Sequence, residues 1–274
     1  MRALLGSLYL LVTACSAPPV PGLPPSSGKA LFVKGDGEFA NGRGLRGSVT
    51  LVKLVEEYPE SYWARRAVET LWERRLELTA AGFSYPELLG GLYEKHKEDG
   101  IAGHLLFYDA LWFARPGAGL EKEALYLLLV LVDYHPSSAL WDDGVWLAAD
   151  LLRRLGRVGD EARILEAALL PTSSRGIDAL ADGFSQKVRY RLARLYLRQG
   201  RYREALRQLS LVVNLHRGLK LKDDAMWQTA QVYAVLGDKE REAKALEYLV
   251  EQCPWSRLKD GAVARIRDLS LPKE

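Results

Sequence analysis

One stretch of this chain carries cationic and aromatic side chains at a spacing suited to a negatively charged partner. The residues are Lys187, Tyr190, Arg194 and Arg198. They follow one another at steps of three and four, so they share one face if the stretch is helical. Guanidinium groups form strong hydrogen bonds with carboxylates, and a neighbouring aromatic ring adds apolar contact. The pattern predicts a surface for an extended or helical peptide with acidic and apolar residues.

Residues that serve enzymes and metal sites lack the spacing that such chemistry needs. The histidines are His96, His104, His135 and His216. They form no HExxH pattern and have no cysteine at a ligand interval, so no metal site is expected. The Gly-rich residues 28–47 lack the order of a phosphate-binding loop, and no serine lies in a nucleophile elbow. We expect no enzyme, and a hydrolase remains only a third alternative.

A spaced pattern recurs along the chain: an aromatic residue, Ala three places on, a large residue after three more, and Gly after another four. The copies begin at Trp72, Phe107, Trp146, Tyr190 and Trp227. Positions three or four apart share a helix face, and the small Ala lets a second helix approach closely. The Gly can end the helix in a left-handed conformation that most side chains resist. Each copy therefore predicts the first helix of a hairpin.

The returning helices have their own signals. Alanines follow four of the glycines after a short turn, at Ala124, Ala162, Ala205 and Ala243. Between hairpins, the segments YPES, YHPSS and CPWS place a proline that stops one helix and a serine that can cap the next. The predicted capping residues are Ser61, Ser138 and Ser256. We read residues 49–269 as all-α, with a loop at 171–183.

These hairpins resemble tetratricopeptide repeats (TPRs), whose period is about 34 residues. The copy at Tyr190 matches the family's spaced residues most fully, at Leu192, Ala193, Tyr196, Gly200, Tyr202 and Ala205. The first copy departs from the pattern because Arg75 replaces the alanine. The resemblance implies an all-α, TPR-type solenoid of about five hairpins with a C-terminal capping helix.

The N-terminus carries an export signal. The apolar residues 3–12, ALLGSLYLLV, are too few for a permanent membrane-spanning helix. VTAC at residues 12–15 resembles the bacterial lipobox, which implies a covalent lipid on Cys15 and no other cofactor. Ser16 stands where an aspartate would argue for the inner membrane, so the resemblance implies the outer membrane, facing the periplasm. An ordinary secretory signal that happens to contain a cysteine is the alternative.

Composition sets the remaining bounds. Residues 16–28, SAPPVPGLPPSSG, are typical of an extended spacer, and we continue the linker to residue 47. The predicted domains are a signal peptide at 1–14, a lipidated cysteine and linker at 15–47, and a repeat domain at 48–274. If Cys15 carries lipid, Cys253 has no disulfide partner. A net charge of +3 is too small to indicate nucleic-acid binding.

The lipobox and the repeats together resemble bacterial outer-membrane TPR lipoproteins of the BamD type or the pilotin type. In TPRs the positions of the cationic stretch face the concave groove, and Trp146 and Trp227 occupy the same pattern position as Tyr190. The resemblance thus implies a row of aromatic rings beside arginines in that groove. The alternative is that the aromatic side chains pack between hairpins and the arginines form a solvated face.

We therefore expect a membrane-anchored periplasmic scaffold that binds protein partners. The resemblance implies an accessory role in an outer-membrane or envelope assembly complex, with β-barrel assembly or secretin components among its partners. A module that binds an anionic polymer, such as peptidoglycan or a polysaccharide, is the alternative, and the arginine-rich residues 189–207 favour it.

Overall fold

The computed structural model describes residues 26–170, 182–215 and 221–270, and these form α-helices without any strand. The helices are α1 Ser26–Ala40, α2 Gly44–Glu57, α3 Tyr62–Glu73, α4 Arg75–Ala80, α5 Tyr85–His96, α6 Ala102–Phe113, α7 Glu121–Tyr134, α8 Trp141–Arg154, α9 Val158–Ala167, α10 Gly183–Arg198, α11 Tyr202–Leu215, α12 Lys222–Val235, α13 Lys239–Gln252 and α14 Lys259–Ser270. The predicted all-α fold is confirmed. The lipobox and most of the predicted loop at 171–183 lie outside the described residues.

The five predicted hairpins are present, followed by α14 as the C-terminal helix. Each pattern glycine has a positive φ between 70° and 88°, as a left-handed helix end requires; these are Gly82, Gly117, Gly156, Gly200 and Gly237. The pattern alanines are buried; these are Ala110, Ala149, Ala193 and Ala230. In the first copy, where Arg75 replaces the alanine, the helix breaks at Arg74 into α3 and α4.

The predicted linker is wrong over residues 26–47, because α1 and α2 form a further helical pair there. Its glycines permit close packing. A Cβ on Gly35 would lie 2.6 Å from a methyl carbon of Leu51, and one on Gly47 would lie 2.6 Å from the ring of Phe39. Glycine in a helix interior is destabilising alone, but here it lets two backbones approach.

The helix starts differ in part from the prediction. The Ser61 hydroxyl accepts a hydrogen bond from the Ala64 N–H at 3.0 Å and caps α3 as expected. Ser138 and Ser256 accept instead from the N–H two residues on, at 3.2 and 3.1 Å, so they form turns ahead of α8 and α14. Ala243 is only half-buried, because Glu242 takes the buried position of that turn.

The chain divides into two compact units, unit 1 up to Leu147 and unit 2 from Ala148, where the sequence predicts one repeat domain. The core of unit 1 is rich in leucine from α2 to α6. Unit 2 has one cluster around Leu209 and Val212 and another around Leu246, Leu249 and the buried thiol of Cys253. No helix among the described residues is long and apolar enough to cross a membrane.

Candidate partner-binding surfaces

The predicted cationic face lies on α10 in unit 2. Lys187, Arg194 and Arg198 are exposed, as a binding face requires. The ring of Tyr190 is half-buried and packs against a cluster that includes Ala193, Leu209, Val212, Ala225 and Val232. Burial, and then the charge of Asp224, raises the pKa of Tyr190. The cations therefore meet solvent while the ring fills space between helices.

The two tryptophans of the predicted row occupy different surroundings. Trp227 on α12 packs against the cluster around Met226, Leu246 and Leu249, and a Cβ on Gly261 of α14 would lie 3.5 Å from it. Trp146 on α8 is half-buried and belongs to unit 1. Tyr190 and Trp227 thus pack between helices, as the alternative interpretation has it. Partner binding by the exposed cations stays a prediction.

Several arginines of unit 2 pair with carboxylates. Arg191 forms hydrogen bonds of 2.9 and 2.7 Å with the fully buried Glu161, and it also lies 2.9 Å from Asp150. Arg265 of α14 holds the buried Glu242 of α13 at 2.6 Å. These pairs join a returning helix to a following helix. They stabilise the packing of unit 2 and leave those arginines engaged.

Unit 1 carries a different arrangement, which we call the aromatic–arginine surface. It consists of Trp72, Arg75, Trp112 and Arg115, with the ring of Tyr85 buried beneath them. Tyr85 lies 5.8 Å from Trp72 and 5.4 Å from Trp112, measured between ring centroids, and is stacked on the latter. The guanidinium carbon of Arg75 lies 3.9 Å from the ring centroid of Trp72, and that of Arg115 lies 3.4 Å from Trp112. The result is a continuous series of rings with an arginine on each indole.

Short sequence spacing and helix packing position these groups together. Each arginine follows its tryptophan by three residues, so the guanidinium reaches the ring one turn away. Tyr85 begins α5 and is fully buried, and burial raises the pKa of its phenol above the usual range. Tyr108 of α6 lies 5.9 Å from Trp72. Burial, and then Glu69, raises the pKa of Tyr108 to about 12.

Neither Arg75 nor Arg115 forms an ion pair with any described residue. One terminal nitrogen of Arg75, Nη1, donates to the Trp72 carbonyl at 2.8 Å, and its buried Nε has no acceptor in the part of the chain that the structure describes. Burial, and then the nearby charge of Arg75, lowers the pKa of Arg115. Two neighbouring guanidinium groups thus repel each other at a partly desolvated surface. Such a surface favours an anion.

The sequence did contain a signal for this surface. Arg75 is the residue that breaks the repeat pattern, and Trp-x-x-Arg occurs both at 72–75 and at 112–115. The same spacing at Trp63 and Arg66 ends differently, since Arg66 pairs with Glu69. Spacing alone therefore does not tell a free arginine from a paired one.

Unit 1 also contains a line of clefts over α5, α6 and α7. One of them has a volume of about 650 Å³ and is lined in part by Tyr93, Tyr126 and Tyr134. Asp109 borders two smaller clefts, and its buried Oδ1 has no hydrogen-bond partner among the described residues. Burial raises the pKa of Asp109 to about 7. Burial, and then the charge of Arg65, lowers the pKa of His104 on the same helix to about 4.

Among the described residues, no group of three or more His, Cys, Asp or Glu side chains is placed to hold a metal ion.

Comparison with known protein families identifies the type of one hairpin. Residues 187–218 match the family described as Tetratricopeptide repeat. They contain most of α10 and all of α11, where the sequence pattern was most complete. The match indicates repeats of this type and no catalytic family.

Solved structures and curated sequences add less. Pseudomonas aeruginosa pilF is 16% identical with a TM-score of 0.44, covering 87% of this chain and 97% of its own. A tetratricopeptide repeat protein from Parabacteroides merdae is 13% identical with a TM-score of 0.36, and the match covers 88% of this chain and 99% of that protein. Scores this low carry no argument about function. No curated protein gives a significant sequence match.

Proposed function

We propose that this protein is a lipid-anchored scaffold of the bacterial envelope that binds other proteins through its helical hairpins. The observation that carries the proposal is the set of five hairpins with left-handed glycine ends, one of which matches the tetratricopeptide repeat. Stacked hairpins present side chains of successive helices on a preformed surface, so the scaffold loses little conformational entropy when a partner binds.

The anchor is proposed from the sequence. VTAC at residues 12–15 supplies a cysteine for lipid at the end of the apolar run, and Ser16 favours the outer membrane. The Pro-rich residues after Cys15 extend the reach of the folded hairpins from the periplasmic face. We propose an accessory role in an envelope assembly complex, with β-barrel assembly or secretin components as the partners to test first.

The test of anchoring uses the two cysteines of the chain. Cells that produce Cys15→Ser or, as the matched control, Cys253→Ser are fed an alkyne-labelled fatty acid, and membranes are separated from soluble periplasm. Cys15→Ser should lose both the label and the membrane association, whereas Cys253→Ser should keep both. Label retained by Cys15→Ser would refute the lipid anchor.

The test of partner binding is crosslinking in cells, followed by purification from outer membranes and mass spectrometry. Reproducible recovery of a β-barrel assembly factor or a secretin, weakened in Cys15→Ser, would support the proposal and choose between the two complexes. Recovery of glycan fragments without a reproducible protein would refute it.

A second candidate function is binding of an anionic polymer. The exposed cations Lys187, Arg194 and Arg198, with Arg203 and Arg207 on α11, favour it. Isolated peptidoglycan and an acidic polysaccharide should retain the protein at low salt and release it steeply as ionic strength rises, since exposed charges are screened. Retention that ignores both salt and Arg194→Gln/Arg198→Gln would exclude this mode.

A further inference from the structure

We propose that the aromatic–arginine surface of unit 1 binds an acidic peptide segment of a protein partner, with one Asp or Glu side-chain carboxylate held by Arg75 and Arg115. The inference rests on the protein binding proposed above and assigns it a site and a partner chemistry. It differs from the sequence prediction, which placed the binding arginines on α10 of unit 2.

The first argument is the missing counter-charge. Arg75 and Arg115 lie on the two indoles that flank Tyr85, whose ring centroid is 5.8 Å from Trp72 and 5.4 Å from Trp112, and no described carboxylate pairs with either arginine. Within unit 1, Arg66 has the same spacing from a tryptophan, and there Glu69 compensates its charge. A carboxylate from a partner would relieve the repulsion between the two guanidinium groups and could accept hydrogen bonds from both.

The second argument is preorganisation. Each guanidinium lies over an indole, at 3.9 Å for Arg75 and 3.4 Å for Arg115, and Tyr85 is stacked on Trp112 behind them. Stacking on a ring restricts each arginine. Arg75 has a buried Nε and an Nη1 that donates to the Trp72 carbonyl, so its Nη2 is the nitrogen left for a partner. The rings supply apolar contact for a side chain next to the bound carboxylate.

The third argument limits how acidic the partner can be. Glu69, Glu73 and Asp143 raise the pKa of Tyr108 and Arg66 lowers it, so three carboxylates and one cation lie near Tyr108, which contacts Trp72. A run of acidic residues, or a nucleic acid, would be repelled there. The surface therefore fits a single Asp or Glu flanked by aromatic or aliphatic residues.

The experiment selects a random dodecapeptide library, with blocked C-termini, against the mature chain carrying Cys15→Ser, and measures the selected peptides by fluorescence anisotropy. We expect one acidic residue beside an apolar one. Arg75→Gln/Arg115→Gln should weaken binding about 10- to 100-fold, the range of one or two charge-assisted hydrogen bonds. Replacing the acid by its amide in the peptide should cost the same and add nothing in the double variant.

Two controls remove arginines elsewhere. Arg66→Gln removes a guanidinium that has the same spacing but is already paired, and Arg194→Gln/Arg198→Gln removes two charges from unit 2. Both should change affinity less than twofold. Arg75→Lys/Arg115→Lys keeps the charge without the flat stacking group and should recover only part of the affinity. Far-UV circular dichroism and unfolding midpoints check that each variant is folded.

Several results would overturn the inference: no selected binders, a consensus without an acidic residue, or unchanged affinity in Arg75→Gln/Arg115→Gln. Peptides that depend on Arg194 and Arg198 would move the site to unit 2 and leave the scaffold proposal intact. The scaffold proposal is tested separately by lipid labelling and crosslinking in cells, so the two failures are distinguishable.

Discussion

The two units differ in whether their buried and partly buried charged side chains have a partner of opposite charge, although both are built from the same kind of hairpin. In unit 2, buried Glu161 and Glu242 are matched by Arg191 and Arg265 from a neighbouring helix. In unit 1, Arg75 and Arg115 lie on indole rings, and no carboxylate in the described part of the chain pairs with them. His104 and Asp109 are also buried in unit 1, where burial lowers the pKa of His104 and raises that of Asp109, so both shifts favour the neutral form. The buried carboxylates of unit 2 are thus paired across helices, whereas these two partly buried guanidinium groups of unit 1 remain available to a partner.

The largest effect expected is in unit 2. Arg191→Met leaves Glu161, which is fully buried, without its cation. Loss of one partner of a buried pair costs about 3–5 kcal/mol in the free energy of unfolding. Urea unfolding followed by circular dichroism would measure it, with the exposed pair of Arg201 as the control, where Arg201→Gln should change little. Arg191→Met/Glu161→Leu should recover much of the loss, and a small effect of Arg191→Met alone would contradict the comparison.

In unit 1, removing the buried charge of Asp109 should instead stabilise the fold. Folding raises the pKa of Asp109 from 3.8 to about 7, so its contribution to stability is fully present below pH 3.8 and lost as the pH rises through 7. Asp109→Asn should therefore raise the free energy of unfolding above pH 7, by at most about 4 kcal/mol, and change little at pH 4. Equal effects at pH 4 and pH 9, measured by urea midpoints, would show that the carboxyl is not the cause.

His104 should act in the opposite direction. Its pKa falls from 6.5 to about 4 on folding, so the folded state loses stability as the pH drops through 6.5 toward 4, by about 3 kcal/mol. His104→Gln should remove this loss. Between pH 4 and 6.5 the slopes of His104 and Asp109 oppose each other, so Asp109→Asn should reveal a steeper acid sensitivity. If the free energy of unfolding of His104→Gln and of Asp109→Asn had the same pH dependence, the two groups would not act in opposite directions.

The smallest loss of stability is expected from replacing a glycine at a helix end, and it should be the same in both units. Gly117 in unit 1 and Gly237 in unit 2 have φ values of 79° and 72°, with open space around the position of a Cβ. Gly→Ala at either position should cost about 1 kcal/mol through backbone strain alone. Gly90→Ala, within α5, should instead stabilise by up to about 1 kcal/mol. A large difference between Gly117 and Gly237 would show that the turns are not equivalent.

The sequence determined the hairpins, because their signals are local. An aromatic residue, an alanine and a glycine at fixed steps fix a helix face and a helix end within about three helical turns. The five glycines have the backbone conformation that this requires. Ser61 could be identified as a cap for the same reason. The face of Lys187, Arg194 and Arg198 follows directly from helical spacing, although whether it binds a partner stays a prediction.

Only the tertiary structure decided which side chains meet across helices. Glycines near residue 35 look like linker in sequence, and they proved to permit a close approach of α1 and α2. Arg66 and Arg75 have equivalent sequence signals, but among the residues that the structure describes only Arg66 pairs with a carboxylate. The TPR resemblance implies that Tyr190 and Trp227 line a groove, yet packing against other helices buries part of each ring. Periodicity fixes the face of a helix, while the neighbouring helix decides whether that face is buried, paired or free.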